Sequence, residues 1–225
     1  MIVSVHLAKT AGTSFAATLE QHYGNGLRRD YGDLPMNSPV PIRNTAALQG
    51  CLQQANASFS DVSCIHGHFL PVKYLLLQDP SLRFITWMRH PVDRAISNYF
   101  FWQKNPATAD QPLQRQMLEE RWTLERFCLG EEFKDYYWQM LFAFPLDYFD
   151  FIGITEFYEE DLQYFANYYL QTSSSPLKVN VGDKEGVAHQ LEPTLRARIE
   201  AFHSKDMALY RFALEKRQVR VAQVS

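Results

Sequence analysis

The first two dozen residues constrain the fold more than any other stretch. Ile2-Val3-Ser4-Val5-His6-Leu7 is apolar and β-branched, as a buried strand requires. Ala8-Lys9-Thr10-Ala11-Gly12-Thr13-Ser14 follows as a small-residue turn, and Phe15, Leu19, His22 and Tyr23 then recur at helical spacing. A strand entering a helix through such a turn leaves backbone N–H groups unpaired at the positive end of the helix dipole, which makes an anion site. Lys9 adds a cation, and Thr10, Thr13 and Ser14 add hydroxyl donors. Without an anion, Lys9 reads as a solvated loop lysine and Ser14 as a helix cap. The Walker A spacing is absent because the lysine precedes Gly12, which weakens an ATPase or kinase reading.

The same alternation continues along the chain. Residues 62–65 read as a short strand running into His66-Gly67-His68, and 83–88 as a buried strand with Pro91 where a helix begins and continues to about Trp102. A strand over 149–154 precedes an amphipathic helix over 156–170. Further helices are expected over 45–56, 113–128, 134–142, 193–202 and 204–220. Residues 24–44 hold three glycines, three prolines and three asparagines and read as a long surface loop. Residues 177–181 read as short and extended, and 182–186 as a polar loop. Alternating strands and helices predict an α/β, three-layer sandwich with a central, mainly parallel sheet, a P-loop-like phosphate-binding turn and ligands at the carboxyl ends of its strands. A length of 225 residues fits one domain, 1–225, with elaborations.

Composition narrows the function classes. Lys and Arg number 22 against 25 Asp and Glu, a net charge of −3, so no general attraction to nucleic acid is expected. No run approaches about 18 apolar residues, which excludes a transmembrane helix, and the amino terminus lacks the charged lead of a secretory signal, which predicts a cytoplasmic protein. Cys51, Cys64 and Cys128 lie far apart without CxxC spacing, so neither a disulfide framework nor a zinc site is indicated.

Two later segments carry chemistry. Arg89 leaves the end of a strand and offers a planar fork of donors suited to phosphate, with the Ser97 hydroxyl about two helical turns on. The alternative is that Arg94 pairs with Asp93 or another nearby acid and Ser97 faces solvent. His66 and His68 straddle a glycine at a strand end, where one imidazole can act as a base near neutral pH. No third ligand stands nearby for a metal.

Taken together, Lys9-Thr10-Ala11-Gly12-Thr13-Ser14 after a strand, with Arg89 and Ser97 eight apart around His90-Pro91-Val92-Asp93-Arg94, resembles the two cofactor-binding segments of the sulfotransferases that use 3'-phosphoadenosine 5'-phosphosulfate (PAPS). The resemblance is nearest to the carbohydrate O-sulfotransferase branch, the heparan sulfate 2-O- and 6-O-sulfotransferases and their bacterial relatives. His66-Gly67-His68 resembles that branch's catalytic-base segment. Residues 150–156, 179–181 and 206–210 resemble its later landmarks, in the same order.

This resemblance implies that Lys9, Thr10, Ala11, Gly12, Thr13 and Ser14 cradle the 5'-phosphosulfate, that Arg89 and Ser97 hold the 3'-phosphate, and that Lys184 closes over the nucleotide. It further implies that His68 is the general base with His66 as helper, that Lys9 stabilises charge on the leaving phosphate, and that no metal is required. The acceptor would be a hydroxyl on a carbohydrate or small molecule, and the product 3'-phosphoadenosine 5'-phosphate (PAP). The rival readings are a degenerate P-loop nucleotide kinase and a non-catalytic glycan- or nucleotide-binding module on the same fold.

Between Lys134 and Lys178 no Lys, Arg or His occurs, whereas Asp135, Asp147, Asp150, Glu156, Glu159, Glu160 and Asp161 do. Such a surface is expected to repel a highly sulfated acceptor. Tyr136, Tyr137, Trp138, Tyr168 and Tyr169 in the same stretch offer faces for sugars, or for core packing.

Overall fold

A computed structural model describes residues 1–33, 35–108, 111–172 and 191–223. The apolar runs become strands β1 (Ile2–Val5), β3 (Cys64–Gly67), β4 (Arg83–Met88) and β5 (Phe151–Ile154), joined by a strand β2 (Leu27–Asp30). They form one parallel sheet in the order β2-β3-β1-β4-β5. The helices are α1 (Gly12–Tyr23), α2 (Val40–Ala55), α3 (Pro91–Lys104), α4 (Pro112–Glu119), α5 (Leu124–Cys128), α6 (Tyr136–Met140), α7 (Tyr158–Phe165), α8 (Pro193–Phe202) and α9 (Ser204–Ala222).

Side chains alternate across a strand, so the sheet has two apolar faces and both must be covered. On one face Ile2, Cys64, Ile85, Trp87 and Phe151 pack with Phe15 and Leu19 of α1 and with Tyr158, Leu162 and Phe165 of α7. On the other, Val3, Val5, Ile65 and Ile152 pack with Ala47 of α2, Tyr136 and Tyr137 of α6, and Tyr210 and Ala213 of α9. The result is the three-layer α/β arrangement that the alternation predicts. A third apolar cluster joins α3, α4, α5 and α8 through residues such as Val92, Ile96, Met117, Phe127 and Ile199. All three cysteines are buried and free, and among the described residues no helix is long and apolar enough to cross a membrane.

The expected loop over 24–44 is instead built around β2. Leu27-Arg28-Arg29-Asp30 shows no apolar alternation, and its strand conformation comes from its neighbour. A Cβ on Gly67 would lie 1.6 Å from the Asp30 carbonyl oxygen, so only glycine there lets β2 lie against β3. Lys73 Nζ and Tyr74 Oη, each 2.7 Å from Asp30 Oδ2, fasten the end of the strand. α2 starts at Val40 because Pro41 sits in its first turn, where proline is tolerated. The single helix expected over 113–128 is two helices, α4 and α5.

β5 is an edge strand whose outward backbone groups are met by side chains. Asp161 Oδ2 accepts the Ile154 N–H at 2.7 Å, and Arg220 donates to the Ile152 carbonyl at 2.8 Å. Asp161 Oδ1 also accepts from Arg217 Nε at 2.9 Å and Arg220 Nη2 at 2.7 Å, with Asp161 only 1% exposed. One carboxylate thereby ties α9 to α7 and β5. Removing it leaves Arg220 without its carboxylate and Arg217 with only the exposed Glu160, so Asp161→Ala should cost about 3–5 kcal/mol. Urea unfolding would read this as a lowered midpoint with little change in slope.

Candidate active site

Strand register decides which side chains meet at the carboxyl ends. Ser4 of β1 is opposite His66 of β3, which is opposite Arg29 of β2. Two residues further along, the His6 N–H donates to the Gly67 carbonyl at 2.8 Å, so the ladder extends past the strand ends. Period-two alternation then puts Ser4, His6, His66, His68 and Tyr31 on one face. The His6 ring stacks on His68 at 4.1 Å and on His66 at 5.2 Å, and Tyr31 stands edge-on to His68 at 5.0 Å. His6 is the histidine of this group that sequence reasoning passed over, along with Ser4 and Tyr31. Its signal is an imidazole at the end of an apolar strand, two residues from the turn, but its meaning depends on which strand lies alongside. Gly12 completes the fit, since a Cβ there would fall 1.7 Å from His6 Nε2.

Hydrogen bonding fixes the chemistry of each ring. His68 Nδ1 lies 2.5 Å from the His6 carbonyl oxygen. A carbonyl can only accept, so Nδ1 carries the proton and Nε2 the lone pair. His68 is partly exposed, so the basic nitrogen belongs to an accessible ring. His66 is 1% exposed, its Nδ1 is 2.8 Å from Ser4 Oγ, and its Nε2 is buried without a partner among the described residues. His6 Nδ1 is 3.1 Å from the Tyr31 hydroxyl. Desolvation pulls the pKa of all three below the ordinary histidine value. For His66 it is pushed down to about 3, with the charge of His68 next in effect, and for His6 the charges of His68, His66 and Lys9 add to desolvation. For His68 the bond to the His6 carbonyl opposes the shift. Stacked rings do not aim their lone pairs at one point, so the trio is not arranged to ligate a metal.

The turn after β1 is wound tightly. Lys9 and Ala11 have φ of 67° and 63°, left-handed values unusual for residues with a Cβ. Thr10, between them, is 1% exposed and donates its hydroxyl to the Leu7 carbonyl at 2.7 Å, so that proton closes the turn. α1 opens at Gly12 with no side-chain cap, which leaves its first N–H groups without intrahelical acceptors. Thr13 is exposed and Ser14 partly so.

The turn and the later segment face each other. Lys9 Nζ lies 3.9 Å from the centre of the Phe101 ring on α3. Ser97 is four residues before Phe101 and hence on the same side of that helix. Desolvation and then the Arg89 charge lower the Lys9 pKa. Among the described residues the Arg89 side chain has no hydrogen-bond or ion-pair partner. Lys184 lies outside the described residues.

Arg94 departs from the ion pair expected of it. Asp93 is bound instead by Arg196, at 3.0 Å, while Arg94 is 3% exposed and lies 4.1 Å over the Tyr136 ring. Next to Arg89, the His90 N–H donates to Glu156 Oε1 at 2.7 Å, which fixes the entry to α3.

No family model matches the chain, and no curated protein does. Among solved structures it is similar to a sulfotransferase from Alicyclobacillus acidocaldarius, at 16% identity, 92% coverage of each chain and a TM-score of 0.49.

The stack makes a prediction independent of any substrate. In an NMR titration His66 should show no ionisation of its own between about pH 5 and 8, and His6 and His68 should each titrate with a midpoint below about 6.5, the ordinary value. A midpoint at or above 6.5 for His66 would contradict the stack.

Proposed function

We propose that the chain is a sulfotransferase that moves the sulfuryl group of PAPS to an acceptor hydroxyl on a carbohydrate or small molecule. The observation that carries this reading is the approach of Lys9 to Phe101 on α3, the helix that bears Ser97 and follows Arg89, whose side chain has no hydrogen-bond or ion-pair partner among the described residues. Two cations and a free helix N-terminus, held apart on separate strand ends, suit a ligand with two phosphate groups at a fixed distance. Bound PAPS would supply an activated sulfuryl group and a good leaving phosphate.

The residues divide the work by position. Lys9 and the N–H groups opening α1 take the 5' side and meet the charge that grows on the leaving phosphate. Arg89 and Ser97 take the 3'-phosphate. His68 Nε2 accepts the proton of the acceptor hydroxyl as the oxygen attacks sulfur in line. His6 holds the base in its reactive tautomer through its carbonyl, and His66 packs beneath His6 as a neutral ring.

Three measurements test this reading. Calorimetry in Mg²⁺-free buffer should show PAP binding that Lys9→Ala and Arg89→Ala each weaken; equal affinity in all three proteins would remove the nucleotide site. With radiolabelled PAPS, His68→Ala should lose about 10²–10⁴-fold in transfer while keeping its PAP affinity. The acid limb of kcat/KM should fall below pH ~6.5, because desolvation lowers the His68 pKa and the neutral base survives to lower pH.

A further inference from the structure

The two anion-binding segments are tied to one short helix by their backbones. The Ala8 N–H, at the start of the turn, donates to the Tyr136 hydroxyl at 2.9 Å. The Arg89 N–H donates to the Tyr137 hydroxyl at 3.0 Å, and that hydroxyl donates in turn to the Arg89 carbonyl at 2.7 Å. Tyr137 thus fixes both peptide planes flanking the Arg89 Cα, and with them the direction in which the guanidinium leaves β4. Both rings are buried, 4% and 0% exposed, and adjacent on α6, so the distance between their hydroxyls is set by covalent geometry and packing.

α6 is itself held in place. Asp206 accepts the N–H groups of Tyr137 and Trp138, each at 3.0 Å. Asp135 Oδ1 accepts those of Lys205 at 3.1 Å and Asp206 at 3.3 Å, so the starts of α6 and α9 cap each other. Arg94 covers the Tyr136 ring on the α3 side.

We infer that Tyr136 and Tyr137 are positioning residues that set the spacing of the two ends of the nucleotide site, Tyr136 acting on the 5' side through the turn and Tyr137 on the 3' side through Arg89. The inference rests on the PAPS reading above, and the test separates the two. Calorimetry with PAP, 5'-AMP and 3'-AMP comes first on the unaltered protein, which should bind PAP more tightly than either monophosphate. No such preference would overturn the nucleotide reading and this inference with it.

Given that preference, Tyr137→Phe should weaken PAP and 3'-AMP about three- to tenfold and leave 5'-AMP unchanged, the scale of one hydrogen bond. Tyr136→Phe should weaken PAP and 5'-AMP and leave 3'-AMP unchanged. Uniform weakening of all three nucleotides, or no change in any, would overturn the inference while the nucleotide reading stands. Amide exchange on the unaltered protein gives a second measure that needs no variant. The Ala8 and Arg89 amides should exchange as slowly in the free protein as in its PAP complex, and slow exchange in the complex alone would equally overturn the inference.

Discussion

Everything at the candidate site follows from β1 being hydrogen-bonded on both sides, to β3 and to β4, in parallel register. Parallel strands end together at one edge of the sheet, so three chain exits are delivered to one place. The register, with Ser4 opposite both His66 and Ile85, then decides which side chains share a face. A slip of one residue would turn His6 and His68 to opposite faces and dissolve the stack. The apolar packing of both sheet faces, which resists such a slip, therefore fixes the chemistry as well as the fold.

Buried charge plays an unusual part in this scaffold. Edge strand β5 is closed by Asp161 and Arg220 where another strand would ordinarily pair, and α9 is secured by the same carboxylate. Asp206 shows the cost of such placement: burial pushes its pKa up to about 7, although two backbone N–H donors favour the charged form. Arg94 lies against tyrosine faces instead of a carboxylate, with its Nε buried and unpartnered among the described residues.

What could be read from sequence was what depends on neighbours along the chain. The strand-turn-helix at the start, and the strand running to Arg89 with Pro91 opening α3, follow from local apolar runs and proline geometry. β2 could not be read, since Leu27-Arg28-Arg29-Asp30 owes its conformation to a missing Cβ on Gly67 some forty residues on. His6 escaped notice for the same reason, its partners being set by register. The acidic stretch from Asp135 to Asp161 is a different case. Asp147 pairs with Lys216, Asp150 with Arg83, Glu160 with Arg217, and Asp135 and Asp161 are buried hydrogen-bond acceptors. Asp135 and Asp161 are thus withdrawn from that surface, whereas Asp147 and Glu160 stay exposed in their ion pairs. The tyrosines of the same stretch divide: Tyr136 and Tyr137 are core residues, whereas Tyr168 is 54% exposed.

His6 gives its N–H to Gly67, its carbonyl to His68 and its ring edge to the space above Gly12. One residue thereby belongs to the sheet, the histidine stack and the turn at once. A displacement of the turn is therefore passed to His68 through a single residue, and substitutions that spare this three-way junction leave the stack undisturbed.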